Sequence, residues 1–139
     1  KELAKQFGNK NYSYTLHQCG SEEFEPDRNS LDFAFTSPPY FDTEQYSNEQ
    51  TQSYLKFKSV LKWKSKFLRQ TIKNVHRGLK QNKFMGLNVA DVKNYSTFER
   101  DTIEIAEEIG FKYLDRFDYA LGSQHDNFKT EPIFIFKKI

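Results

Sequence analysis

The chain has 139 residues, 37% of them hydrophobic and 17% aromatic, with a net charge of +2, which suits one domain with a ring-rich core and excludes two ordinary ones. Its one cysteine, Cys19, excludes an internal disulfide framework, and Cys19 with the scattered His17, His76 and His125 offers no zinc-ligand spacing. No apolar run approaches the roughly 20 residues of a membrane span, no signal peptide is visible, and the mild basicity permits a polyanionic partner without demanding one; the expectation is a cytoplasmic protein without a metal site.

Residues 12–16 alternate aromatic and polar side chains, the pattern of a half-buried first strand. Residues 21–29 are acidic and turn-rich, with Pro26 barring a helix, and Cys19 just before them reads as a small buried hydrophobe. Residues 31–36 read as a buried strand. It must stop at Pro38 and Pro39, since a proline pair cannot continue a central strand. Residues 41–52 form a polar loop. From 54 to 77, Phe57, Leu61, Leu68, Ile72 and Val75 recur at a helical period, with Val60, Trp63 and Phe67 widening the stripe and Gly78 placed as the C-cap.

Residues 83–90 read as a further strand. Ser96-Thr97-Phe98-Glu99 has the form of a capping box, a serine hydroxyl and a glutamate satisfying free backbone donors reciprocally. Ile103, Ala106 and Ile109 carry the helix that follows, and Gly110 ends it. Residues 111–121 and 132–139 read as two last strands around a polar loop, and with no helix between them they should be antiparallel. The order strand, strand, helix, strand, helix, strand, strand predicts a single α/β domain over 1–139, a parallel sheet finished by an antiparallel edge.

In open α/β sheets ligands bind beyond the carboxyl ends of the strands, which is where Thr36-Ser37-Pro38-Pro39-Tyr40 falls. The prolines fix the backbone and free its carbonyls from local donors, Ser37 brings a hydroxyl, and Tyr40 a flat ring. That group suits holding an exocyclic amine. The lone pair of such an amine is delocalised into its ring, and acceptors at Ser37 and the Pro38 carbonyl would draw the N–H bonds out of plane and localise it. Tyr40 would stack on a base flipped from the duplex.

Thr-Ser-Pro-Pro-Tyr resembles the catalytic motif of the N4-cytosine and N6-adenine DNA methyltransferases. The flank Phe41-Asp42-Thr43-Glu44-Gln45-Tyr46 is similar to phage and bacterial members, residues 86–92 to the next family strand, and residues 131–136 to its closing antiparallel strand. The resemblance implies a class I, Rossmann-like methyltransferase sheet, S-adenosyl-L-methionine as donor, DNA as partner, and a modification or restriction-modification setting. It implies Ser37, Pro38, Pro39 and Tyr40 as catalytic residues, Thr36, Gly20 and Ser21 on the cofactor side, and Phe41 and Tyr46 toward the substrate; His125, beside Gln124 and Asn127 in the last loop, is a separate candidate to face the substrate. The chain departs from the family in one respect: none of its 6 glycines forms the glycine loop that follows the cofactor strand. The expectation is an N-terminally truncated catalytic half, or one completed by a second polypeptide, that self-associates through what the missing strands leave open.

Other readings stand beside these. A chain lacking the loop would also serve as a non-catalytic, nucleic-acid-binding partner subunit, and related motifs act on RNA or on a protein glutamine. The lysine-rich helical face (Lys56, Lys58, Lys62, Lys64, Lys66, Arg69) reads as solvated, with phosphate contact as the alternative. Trp63 reads as core and not as a base platform, and His125 as part of a polar hairpin loop.

Overall fold

The structure, a computed structural model, describes residues 13–43, 45, 47, 49–120 and 130–139. Strand β1 spans Leu31–Thr36; short helices α1 (Ser53–Lys56) and α2 (Val60–Trp63) lead through a π turn, Lys64–Leu68, into α3 (Arg69–Gly78); β2 (Leu79–Asn88), α4 (Phe98–Ile109), β3 (Phe111–Ala120) and β4 (Thr130–Lys138) complete the order. The sheet runs β1-β2-β4-β3. β1 and β2 are parallel, while β4 is antiparallel to both β2 and β3, so the last two strands form the expected antiparallel edge and the parallel part is the β1–β2 pair. This is a mixed α/β fold with an open four-stranded sheet. No helix among the described residues is long and apolar enough to cross a membrane.

Four sequence expectations are corrected. Residues 13–16 form no strand; Tyr14 and Leu16 are exposed there, and alternation without a neighbouring strand to bond has nothing to hold it extended. Leu61 is 79% exposed instead of core. The helix is interrupted at residues 57–59, restarts where the Ser59 hydroxyl accepts from the Lys62 N–H at 3.3 Å, and is then rephased by the π turn, which brings Trp63, Phe67 and Leu68 inward and leaves Leu61 out. Gly78 is the last helical residue and not a left-handed cap; a Cβ there would lie 2.5 Å from the Pro26 ring, so its role is close approach. The capping box does not form: α4 has no side-chain bond at its N-cap Thr97, and Glu99 instead exchanges bonds with Asp91, the Glu99 N–H donating to Asp91 Oδ1 (2.9 Å) and the Asp91 N–H to Glu99 Oε1 (3.2 Å). Gly110 does end α4 in the left-handed region, at φ 114°.

The helices cover one face of the sheet. Trp63, Leu68, Ile72, Phe98 and Ile105 pack against Leu79, Met85 and Leu87 of β2 and Phe134 and Phe136 of β4, each 5% exposed or less; burial of each such side chain contributes roughly 1.5–3 kcal/mol. The opposite face carries Phe33 and Phe35 of β1, Phe84 of β2 and Phe117 of β3, aligned through the register Phe33↔Phe84 and Phe117↔Ile133. These rings are 39–56% exposed, so β1, expected to be a buried strand, is covered on one face only. The outer edge of β1 pairs with no strand among the described residues.

Candidate functional site

Because β1 and β2 are parallel and β4 runs against them, the end of β1, the end of β2 and the start of β4 meet at one end of the sheet. The motif occupies that end. Ser37 is exposed, Pro38 is buried, Pro39 is half-buried, and Tyr40 is 7% exposed. The Tyr40 phenol lies 3.3 Å from Glu131 Oε2 and 3.4 Å from the Asn88 carbonyl, with its one proton shared between two acceptors. The Asn88 amide and the Val89 N–H both donate to the Pro132 carbonyl, at 3.0 and 3.3 Å, and lock the two strand ends together. Asn88 and Glu131 carry no sequence signal as site residues; only the parallel and antiparallel pairing brings them to Tyr40.

Immediately after the motif the chain reverses. Phe41 sits at φ 54°, a left-handed conformation that a bulky ring adopts at a cost of about 1–2 kcal/mol. The Pro39 carbonyl accepts from the Phe41 N–H (3.0 Å) and the Tyr40 carbonyl from the Thr43 N–H (3.1 Å). Asn94 donates to the Asp42 carboxylate at 3.1 and 3.3 Å and fastens the turn to the loop after β2. The Ser37 hydroxyl and the Pro38 carbonyl accept nothing from the described residues; just beyond the end of β1, Ser37 is exposed and Pro38 is buried.

Behind the motif stands a wall of rings. Tyr40 meets Phe98 edge-on at 5.6 Å; Phe98 stacks on Tyr95 at 5.0 Å; Trp63 meets Phe98, Tyr95 and Phe41 edge-on at 5.5, 6.1 and 6.2 Å. Phe41, expected toward the substrate, is thus half-buried against Trp63, and Trp63 is core with its indole N–H donated to Ser53 Oγ at 3.0 Å. The wall is anchored by Asp101, which accepts from the Tyr95 phenol (2.9 Å) and the Thr97 hydroxyl (3.1 Å) and pairs with Lys64 at 3.0 Å. Burial alone would push the Asp101 carboxyl up, but Lys64 and the two hydroxyl donors outweigh it and hold the group below the usual carboxylate range; burial, then Asp101, pushes the Tyr95 phenol up.

A folded pKa below the unfolded one means that Asp101 stabilises the fold fully above about pH 4 and that this contribution is lost as pH falls through the lower folded value. Asp101→Asn is therefore expected to cost about 2 kcal/mol at pH 7, with the difference from the unmodified chain shrinking below pH ~4. Urea unfolding across that range checks both.

The residues expected on the cofactor side do adjoin the motif. Ser21 bonds Thr71 hydroxyl to hydroxyl at 2.9 Å, and the Asn74 amide donates to the Ser21 and Glu22 carbonyls at 3.1 and 3.0 Å, pinning this turn to α3. A hollow of about 260 Å³ lies between Gly20, Ser21, Pro39, Ser53 and Tyr54, and another of about 340 Å³ runs along the open β1 edge past Ser21, Leu31 and Thr36. Gly20, Ser21, Thr36 and Pro39 therefore share one region. These hollows sit at or below the small end of the roughly 300–1,000 Å³ usual for ligand sites. Tyr46 and His125 lie outside the described residues. Cys19, expected buried, is exposed, since its segment makes no strand to cover it. Of the lysine-rich face, Lys56 pairs with Glu22 and Glu23, Lys64 with Asp101 and Arg69 with Glu108, so half of it holds the fold together instead of facing solvent alone.

No protein-family model matches the chain, and no curated protein matches it by sequence. Solved structures do match by shape. A candidate DNA modification methylase from Thermus thermophilus superposes with a TM-score of 0.60 at 17% identity, over 86% of this chain and 50% of that one; the same protein complexed with S-adenosyl-L-methionine gives 0.52, also at 17%, over 86% and 54%. A candidate sarcosine dimethylglycine methyltransferase from Galdieria sulphuraria gives 0.57 at 13% identity, over 99% of this chain and 63% of that one. The chain thus shares its α/β fold with these structures, and it spans about half the length of the first of them.

Proposed function

We propose that this chain forms the amine-holding part of an S-adenosylmethionine-dependent methyltransferase that modifies the exocyclic amine of cytosine (N4) or adenine (N6) in DNA. The observation that carries the reading is the placement of Ser37-Pro38-Pro39-Tyr40 at the carboxyl end of β1, in a sheet of methyltransferase type. The exposed Ser37 hydroxyl and the proline-held Pro38 carbonyl accept the two amine N–H bonds and leave the nitrogen lone pair to attack. Tyr40, tied to Asn88 and Glu131, lines the base; stacking on its ring requires that the ring be uncovered when the base enters, because it is 7% exposed. The donor supplies an electrophilic methyl on a sulfonium: the N–C bond forms as the S–C bond breaks, the sulfur leaves as a neutral thioether and the methylated amine gives its extra proton to solvent, so the work left to these residues is positioning. Thr36, Gly20 and Ser21 form the donor-side wall.

The test is transfer of labelled methyl from S-adenosylmethionine by the intact polypeptide that carries these 139 residues, with DNA, RNA and protein offered side by side. Label in DNA supports the reading; label confined to RNA or to a protein glutamine contradicts it. The absence of a glycine loop and the covered Tyr40 ring favour a second reading, a non-catalytic partner subunit that binds nucleic acid, whose mark would be salt-dependent DNA affinity without any methyl transfer.

The β1 edge, which pairs with no strand among the described residues, and the phenylalanine face offer a surface on which a second copy of the chain would dock. Sedimentation of the 139-residue chain is expected to show concentration-dependent self-association, weakened by Phe33→Lys with Phe117→Lys. A monomer at high concentration contradicts this.

A further inference from the structure

At the opposite end of the sheet from the motif, where β1 and β2 begin and β4 ends, lies a cleft of about 670 Å³. Four separate segments line it: the turn before β1, α3, the end of α4 and the end of β4. Its permanent charges are Arg28, Arg69, Lys73, Arg77 and Lys138 against Glu108 alone, in a chain whose overall charge is only +2. Two of these cations are spoken for, Arg69 by Glu108 and Arg77 by Glu25. Arg28 and Lys73 are exposed and have no carboxylate partner among the described residues.

Lys138 is the telling residue. It is 8% exposed, and its ammonium donates to the Leu79 carbonyl at 2.8 Å and to Asn29 Oδ1 at 3.2 Å, with no carboxylate partner among the described residues. A shielded ammonium lacking a counter-charge is costly, and two of its three donors are used, which leaves one for the cleft. Asn29 is itself fixed there, at φ 52°, by its N–H on the Arg77 carbonyl at 3.2 Å. Burial, and then the charge of Lys138, hold the neighbouring His76 imidazole below its ordinary range, so the cleft already resists further positive charge.

We infer that this cleft is a second binding site, one that takes a phosphate group between Arg28, Lys73 and Lys138. Phosphate fits because its anionic oxygens, three terminal ones on a monoester or two on a backbone diester, meet guanidinium and ammonium donors converging from separate elements. The volume also leaves room for the nucleoside or the neighbouring sugar attached to that phosphate. The site does not depend on the methyl-transfer reading, since it lies at the other end of the strands. The phosphate has two chemical sources, a free nucleotide or the backbone of a nucleic acid.

The experiment is a titration of the isotope-labelled chain, followed by amide shifts, with three probes: inorganic pyrophosphate, adenosine monophosphate and a short single-stranded oligonucleotide. Saturable shifts centred on Arg28, Asn29, Lys73 and Lys138 are expected with at least one probe. Binding of pyrophosphate and the monophosphate identifies a free-nucleotide site. Binding of the oligonucleotide alone, weakening steeply with salt, identifies a backbone site. Arg28→Ala with Lys73→Ala, both exposed positions, should weaken binding at least roughly tenfold without moving the melting temperature. No shifts in the cleft with any probe, or affinity unchanged in the double variant, overturns the proposal.

Discussion

Ser37→Ala is expected to slow methyl transfer by about 10²-fold, by analogy with the loss of one positioned hydrogen-bonding group in an active site, while leaving stability within about 0.5 kcal/mol. The two halves of the prediction have separate causes. Ser37 is exposed and holds no other described residue, so the fold loses nothing with its hydroxyl. In the proposed reaction that hydroxyl accepts an amine N–H, and its removal returns the lone pair to the base ring just where it must attack. The fall should therefore be in kcat, with the KM for DNA little changed. Tyr40→Ala lowers the rate further and also costs stability, because the ring packs on Phe98 and its phenol reaches Asn88 and Glu131. Tyr40→Phe separates the two effects: it keeps the packing on Phe98 and removes the phenol's bonds to Asn88 and Glu131. Single-turnover rates and melting curves on the same samples provide the comparison.

Trp63→Ala should cost about 4 kcal/mol, a large share of the roughly 5–15 kcal/mol that holds a typical domain folded. Trp63 is fully buried and is touched by Phe41, Phe67, Tyr95 and Phe98, so its removal opens a cavity directly behind the motif. It also strands the Ser53 hydroxyl, which receives the indole N–H at 3.0 Å. Trp63→Phe keeps a ring and loses the bond, and should cost about 1–2 kcal/mol. Urea unfolding of the two variants measures the difference. A loss of less than about 1 kcal/mol for the alanine variant would mean that the ring wall does not support the motif end of the sheet.

Much of this architecture is legible in the residues. β1 is readable to its ends, because a short apolar stretch stopped by two prolines admits little else, and the final hairpin follows from two strand patterns with no helix between them. β2 begins earlier than its apolar run: Lys80, Gln81 and Asn82 carry no strand signal, and Asn82 at φ 63° marks the irregularity where Leu31↔Leu79 jumps to Phe33↔Phe84. Leu61 departs from its expected place because a helical period presumes an unbroken helix, whereas the break at 57–59 and the π turn rephase it. At the candidate site, sequence places the motif just beyond the carboxyl end of β1, which is where it lies. It does not show the Tyr40 ring turned into the core, nor Asn88 and Glu131 beside it, since those depend on pairing between strands far apart in the chain.

Asp101 shows the same limit. Its place on α4 gives no sign of a carboxylate that collects Tyr95, Thr97 and Lys64 from three directions. The basic cleft is equally invisible in a sequence of charge +2, because the residues that make it lie between 28 and 138 and meet only in three dimensions. Net charge bounds what a surface holds on average and says nothing of where the charge gathers.

The central claim is that this motif directs a methyl group to an exocyclic amine. The most direct measurement is mass spectrometry of nucleosides from DNA treated with S-adenosylmethionine and the intact polypeptide carrying these residues, alongside its Ser37→Ala variant. The account predicts N4-methylcytosine or N6-methyladenine with the unmodified polypeptide and about 10²-fold less with the variant. Methyl at the cytosine ring carbon, or amine methylation that Ser37→Ala leaves unchanged, would contradict it.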